Sequence, residues 1–143
     1  MRARWIGWTA AAVLFAAGAT SAATLHFSTA LKGADEVPPN TTTGTGKVTA
    51  NLNTVTKAFT YTVTYKGLTG AATMAHFHGP AAPGTNAPPV VPVPASHLAN
   101  PMRGTATLED AQIADLRAGK WYFNIHTAAN PGGEIRGQLP AVK

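Results

Sequence analysis

Histidine is the residue type in this sequence whose spacing points most clearly to chemistry. His76 and His78 are separated by one residue, and the side chains of residues i and i+2 on a β-strand stand on one face about 6.5–7 Å apart. Two imidazoles at that spacing can bind the same metal ion. The pair therefore predicts part of a metal site, and the alternative is two ordinary strand histidines without a metal.

A third histidine lies at the end of the segment 121–126. Three apolar residues of this segment alternate with Tyr122, Asn124 and His126. Because successive side chains of a strand point to opposite faces, His126 projects away from the apolar row. If the two strands are neighbours, we expect His76, His78 and His126 to meet on the outer face of a sheet.

The ligand type indicates which metal such a site would hold. Imidazole binds copper, zinc, nickel and iron. The sequence contains no cysteine, and few carboxylates lie near these histidines. An all-histidine ligand set therefore favours copper, with zinc as the second choice.

Several groups are candidates for a fourth ligand. His97 lies in the proline-rich stretch after His78 and could fold over the site. His26 could chelate Cu(II) together with the free amine, but only if the mature chain begins at Thr24. Met102 is a soft ligand that would suit Cu(I), and a water molecule is the remaining choice.

The composition limits what else the chain can do. It has 143 residues, which is the length of one domain, and 45% of them are hydrophobic, which is enough for a packed core. The absence of cysteine excludes disulfides, thiolate zinc sites, iron–sulfur clusters and a cysteine nucleophile. A formal net charge of +5 raises anionic partners as a possibility to examine.

Residues 1–23 have the layout of a secretory signal peptide. Two arginines precede the apolar stretch Ile6–Ala17, and small residues follow it. We expect cleavage after Ala22 or Ala23, giving a periplasmic or secreted protein with no membrane span. The loss of two arginines lowers the net charge from +5 to +3, and the remaining basic residues are scattered, so nucleic acid is not an expected partner.

The rest of the chain, residues 24–143, indicates a single all-β domain. Apolar and polar residues alternate along it in short segments bounded by turn residues, which is typical of half-buried strands. The strand candidates are Leu25–Leu31, Val48–Leu52, Phe59–Tyr65, Ala72–His78, Gly104–Leu108, Trp121–Thr127 and Glu134–Leu139. We predict a Greek-key-like antiparallel β-sandwich with one short helix near Ile113 and Leu116. The proline-rich stretch between Gly79 and Pro101 is predicted to be a long loop or an edge.

Three blocks of the sequence resemble the signature blocks of the CHRD domain, a family named after chordin. They are Leu31–Pro39, Ala75–Ala81 and Tyr122–Leu139. The resemblance implies a secreted β-sandwich over residues 24–143. It leaves function open, because chordin itself is an extracellular binding protein. A metal-free extracellular interaction module is therefore the alternative to a metal protein.

The histidine pattern is also similar to that of copper-zinc superoxide dismutases. Those proteins use an H-x-H pair, a loop histidine, a later strand histidine and an arginine that guides the anion. The similarity implies that His76, His78, His97 and His126 are ligands and that Arg136 attracts a small anion such as superoxide. This chain lacks that family's disulfide and its zinc cluster, so only a copper-only dismutase is implied, and a copper carrier without catalysis is the alternative.

Overall fold

The computed structural model describes residues 21–143, which form eight β-strands and one short α-helix. The predicted signal peptide, residues 1–23, lies outside the described residues except for its last three. The strands are β1 Thr24–Lys32, β2 Thr45–Asn53, β3 Ala58–Lys66, β4 Ala72–His78, β5 Pro89–Pro92, β6 Met102–Thr107, β7 Tyr122–Thr127 and β8 Ile135–Gln138. The helix α1 is Asp110–Arg117, and 3-10 turns occur at Gly33–Asp35 and Ala95–His97.

All the strands pair antiparallel in one hydrogen-bonded sheet with the order β5-β4-β7-β8-β1-β2-β3-β6. The seam between β8 and β1 is a single residue pair, Lys32 with Arg136. The strands on one side of this seam fold over onto the strands on the other side. The contact between Phe59 of β3 and Phe77 of β4, whose ring centroids are 5.1 Å apart, shows this packing. We call β5-β4-β7-β8 the front half and β1-β2-β3-β6 the rear half. The predicted all-β sandwich is confirmed.

The core between the two halves comes from the alternating apolar residues of the strands. Phe77 of β4 and Phe123 of β7 are fully buried there, as are Phe59 and Val63 of β3. Trp121, just before β7, is also fully buried and lies edge-on to Phe59 at 5.8 Å. Every second residue of β4 and β7 is therefore fixed against the rear half, which leaves the intervening residues on the opposite face.

The proline-rich stretch contains a short strand, β5, that pairs with β4 alone and forms the edge of the front half. Proline has no N–H to donate to a ladder, so an edge position suits Pro89 and Pro92.

The predicted short helix is α1. Leu116 of α1 is fully buried, and Gly119 ends the helix with a left-handed φ of +73°. Within residues 21–143, no helix has the length and apolar character needed to cross a membrane.

Candidate metal centre

His76, His78 and His126 meet on the outer face of the front half. Strands β4 and β7 are hydrogen-bonded neighbours in a register that places Met74 opposite His126 and His76 opposite Asn124. One ring nitrogen from each histidine lies within 4.8 Å of the other two. The ring centroid of His76 is 5.3 Å from that of His78 and 5.2 Å from that of His126. The convergence expected from strand alternation is present.

This face is much less exposed than a simple outer face would be. His78 and His126 are 8% and 7% exposed, and every residue of β7 is buried. The segments that follow β4 and β7 fold back over the sheet, and their backbone carbonyls at Ala87 and Pro131 contact the histidines. The three imidazoles therefore lie in a sheltered recess, with His76 the most accessible of them.

Backbone carbonyls fix the orientation of two of the rings. His78 Nδ1 donates a hydrogen bond to the Ala87 carbonyl at 2.8 Å, and His126 Nδ1 donates to the Pro131 carbonyl at 2.8 Å. A carbonyl can only accept, so Nδ1 carries the proton and Nε2 of the neutral ring has a free lone pair. This is the arrangement by which outer groups commonly orient metal-binding histidines. His76 Nδ1 is buried without a hydrogen-bond partner.

The environment of His76 and His78 favours the neutral form that binds metals. Burial, reinforced by His126 and His78, lowers the pKa of His76 from 6.5 to about 4. Burial also lowers the pKa of His78, although its hydrogen bonds with Ala87 and Asn124 act in the opposite direction. At neutral pH neither imidazole has to lose a proton before it binds an ion.

Two further residues of β7 complete the recess. Asn124 is 3% exposed, and its Oδ1 lies 2.9 Å from His78 Nε2 and 3.0 Å from His126 Nε2. The Tyr122 ring stacks on His78 with centroids 4.6 Å apart and planes within 4°. Their alternation with the apolar row already put both residues on the face of His126, but neither residue type indicated a role there.

Arg136 lies behind Tyr122 rather than at the mouth of the recess. Its guanidinium carbon is 3.4 Å from the centroid of the Tyr122 ring, and the residue is 2% exposed. It donates hydrogen bonds to the Thr85 carbonyl at 2.6 Å and to Asn86 Oδ1 at 2.9 Å. Arg136 thus ties the segment after β4 to the sheet, and this guanidinium is not presented to solvent as an anion guide would be.

A buried carboxyl group, Glu36, lies on the other side of Asn124. Glu36 is 4% exposed, and its Oε1 has no hydrogen-bond partner of good geometry. Burial raises the pKa of Glu36 to about 7, against the smaller opposing effects of Arg136 and the Asn124 side chain. In the sequence Glu36 follows Asp35 directly, and adjacent carboxylates on an extended chain diverge, so the pair gave no support to a paired-carboxylate site.

The structure keeps the candidate fourth ligands away from this cluster. His97 is exposed on the 3-10 turn Ala95–His97, which packs beside β6 of the rear half. His26 is exposed on β1, where its Nδ1 lies 2.6 Å from Asn51 Oδ1. Met102 is fully buried in the core. Within residues 21–143, the histidine group that could hold a metal consists of His76, His78 and His126.

Comparison with known proteins gives one match. The model of the CHRD domain family matches residues 27–139, a span that includes all three clustered histidines together with Glu36, Asn124 and Arg136. No curated protein and no solved structure matches the chain.

Proposed function

The chain belongs to the CHRD domain family, and we propose that this member binds a single metal ion through His76, His78 and His126. The observation that carries the proposal is the approach of one nitrogen from each ring to within 4.8 Å of the others. Backbone carbonyls hold two of the rings, and burial keeps His76 neutral. Such a preorganised set of lone pairs is what a metal ion requires.

Copper is the ion that the ligand set favours, with zinc second. Three imidazoles without a thiolate suit Cu(II) and Zn(II), and an imidazole site binds Cu(II) more tightly than Zn(II). The recess also excludes most solvent, which strengthens the interaction between the ion and its ligands. The alternatives are a copper carrier and a metal-free interaction module.

Superoxide dismutation is a second candidate activity. Bound copper would supply one-electron chemistry, oxidising one superoxide to dioxygen and reducing a second one, with two protons, to hydrogen peroxide. The partial exposure of His76 favours this candidate, because a small anion needs an open approach to the ion. The burial of Arg136 argues against a steering role for that residue, so attraction of the anion would rest on the ion and the net charge.

The test is a Cu(II) titration of untagged, metal-free protein against a competing chelator. We expect one Cu(II) per parent chain and a loss of affinity of about 100-fold or more in His126→Ala, with His97→Ala as the matched control that leaves binding unchanged. Equal binding by the parent and His126→Ala would overturn the metal site. Superoxide turnover by the loaded protein that does not exceed free copper would restrict the function to binding.

We also infer that the protein acts outside the cytoplasm, either in the periplasm or as a secreted protein. The support is the basic start, apolar stretch and small residues of the first 23 positions. Native intact-mass measurement on protein recovered from the cell envelope or the medium tests this together with metal content. A mature start at Ala23 or Thr24 with one bound copper is expected. An uncleaved chain in the envelope would refute cleavage and would mean that residues 1–23 are retained as an N-terminal anchor. A chain without metal would favour the interaction module.

A further inference from the structure

The orientations of His78 and His126 create an electrostatic conflict at Asn124. Each Nδ1 donates its proton to a backbone carbonyl, so each Nε2 of the neutral rings carries a lone pair. Both Nε2 atoms point at the same Asn124 Oδ1, at 2.9 and 3.0 Å. Three lone-pair atoms at such distances repel one another unless a cation lies among them. A proton can join only two of these atoms, whereas a metal ion can bind all three.

The other end of the amide explains why its oxygen faces the histidines. Glu36 Oε1 and Asn124 Nδ2 both lie beside Gly133, and a Cβ on that glycine would collide with each of them. Glu36 Oε1 is buried and lacks a well-aligned partner, so the ionised form of this carboxyl group needs a nearby hydrogen-bond donor. The amide nitrogen of Asn124 is such a donor, and turning it towards Glu36 turns Oδ1 towards His78 and His126.

We propose that Asn124 Oδ1 is the fourth ligand of the metal and that Glu36 is a positioning residue that holds the amide in this orientation. The proposal rests on the proposed metal site. Neighbouring ligand atoms about 2.0–2.1 Å from an ion are about 2.9 Å apart in the square-planar arrangement that Cu(II) prefers and about 3.3 Å apart in a tetrahedral one. Oδ1 lies 2.9 and 3.0 Å from the two Nε2 atoms, which is close to both separations. Asn124 needs no large movement to take part.

An amide oxygen among three imidazoles also determines which ion is preferred. Carbonyl oxygen is a hard ligand that suits divalent ions, whereas Cu(I) prefers soft sulfur. Asn124 should therefore stabilise Cu(II) and Zn(II) and contribute little to Cu(I). The site of this chain would then be selective for divalent ions rather than adapted to carry Cu(I).

The competing arrangement has the amide reversed, with Nδ2 donating to both Nε2 atoms. In that case Asn124 would be a plug that the metal must displace. The two arrangements predict opposite results for Asn124→Ala. Loss of a ligand weakens Cu(II) binding, whereas loss of a plug strengthens it.

The experiment measures Cu(II) and Cu(I) affinities separately by chelator competition, the latter under reducing, anaerobic conditions. We expect Asn124→Ala to lower Cu(II) affinity by 10- to 100-fold while changing Cu(I) affinity less than threefold. Asn124→Asp, which is isosteric and keeps an oxygen, should bind Cu(II) at least as tightly as the parent. Asn51→Ala on the rear half is the matched control and should leave both affinities unchanged.

The positioning role of Glu36 is tested with Glu36→Gln alone and in combination with Asn124→Ala. Glu36→Gln should lower Cu(II) affinity by about 3- to 10-fold without affecting Cu(I), and in the Asn124→Ala background it should have no further effect. A purely structural role for Glu36 would lower both affinities and would persist in the double variant. That result would overturn the positioning role.

The outcomes separate this proposal from the proposed function. If His126→Ala abolishes binding while Asn124→Ala binds Cu(II) as the parent does, or more tightly, the metal site stands and the fourth ligand is refuted. If His126→Ala also binds as the parent does, the metal site itself is refuted. Should Asn124→Ala fail to fold, a Cu(II) affinity of folded Asn124→Asp well below that of the parent would refute the ligand role.

Discussion

Phe77 lies between His76 and His78 on β4, and its ring packs in the core while theirs face the recess. The same alternation holds on β7, where Phe123 and Ile125 face the core and Asn124 and His126 face the recess. Core packing therefore sets the direction of each of these polar side chains. This is why the face of each histidine could be predicted from the sequence, whereas their meeting also required β4 and β7 to be neighbours, as they are.

The lowered pKa of His76 predicts a pH dependence for the metal-free protein. Because its pKa falls from 6.5 in the unfolded chain to about 4 in the folded one, the unfolded state binds more protons as the pH drops. The contribution of His76 to stability should be complete above about pH 6.5 and should be lost progressively down to about pH 4. After allowance for the partial exposure of the ring, we expect this loss to be about 1–2 kcal/mol.

Urea denaturation of metal-free parent, His76→Asn and His97→Asn at pH 7 and pH 4.5 measures this effect. Glu36, whose pKa is raised to about 7, gains stability over the same interval, and this gain is common to all three proteins. The readout is therefore the difference between variants: on going from pH 7 to pH 4.5, the parent and His97→Asn should change together, and His76→Asn should end more stable relative to them than it was at pH 7. Identical changes in all three proteins would contradict the shifted pKa of His76.

The proposed fourth ligand, Asn124, shows where inference from single residues of the sequence stops. The sequence candidates were groups with an obvious affinity for copper, namely His97, His26 and Met102. Their distance from the cluster depends on strand order, and a β-strand pattern does not encode which strands pair. Asn124 shared the face of His126, but an amide becomes a plausible ligand only once its distances to two imidazoles are known.

At the scale of elements, the carboxylate of Glu134 joins three segments just before β8. Its Oε1 accepts hydrogen bonds from Thr42 Oγ1 at 2.7 Å and from the Thr69 N–H at 2.9 Å. Its Oε2 accepts from Thr69 Oγ1 at 2.7 Å and from Thr127 Oγ1 at 2.6 Å. Burial alone would raise the pKa of Glu134, but these four bonds lower it to about 2.

Replacement of Glu134 should therefore destabilise the fold. Glu134→Gln keeps the shape of the side chain, removes the charge that strengthens these hydrogen bonds and requires the Thr69 and Thr127 hydroxyl groups to accept from the new amide instead of donating to it. We expect a loss of about 1–3 kcal/mol in thermal or urea unfolding at pH 7. Asp110→Asn, which removes an exposed ion pair with Lys57, is the matched control and should cost less than about 1 kcal/mol.

The same carboxylate predicts acid sensitivity of the parent. A pKa lowered from 4.5 to about 2 gives stability that is complete above about pH 4.5 and is lost as the pH falls towards 2. In Glu134→Gln this part of the acid response should be absent. An unchanged acid response in the variant would mean that other carboxyl groups govern it.

Element boundaries were predictable from the sequence where alternation is strong. The Ala72–His78 strand was predicted with the bounds it has, and helix α1 contains both Ile113 and Leu116. The short strand β5 was not predicted as a separate element, because two of its four residues are proline. Its formation depends on β4, which supplies its single neighbour in the sheet.

Across the whole molecule, packing of the core should affect metal binding only where the core supports the histidine recess. Phe77 and Phe27 are both buried core residues, Phe77 on the front half beside the histidines and Phe27 on the rear half. Replacement of either by Leu should cost about 1–2 kcal/mol in urea unfolding. Only Phe77→Leu should also weaken Cu(II) binding, because its ring fixes the part of β4 that carries His76 and His78.

Equal effects of the two variants on Cu(II) affinity would contradict this local coupling.

The sandwich itself was predictable, since several short alternating segments in a chain of this size must bury their apolar faces against one another. The joining of both halves into one sheet at the single Lys32–Arg136 pair was not predictable, because it depends on the long-range pairing of the first and last strands.

His78 and Asn124, which face each other across the recess, are 46 positions apart in the chain. A short segment emerging from a translocation channel cannot assemble such a site, because its two strands must first close a long loop and pair. An exported precursor that crosses a membrane unfolded would therefore arrive without its ion. Metal loading would follow folding, and the ion would come from the supply in the destination compartment.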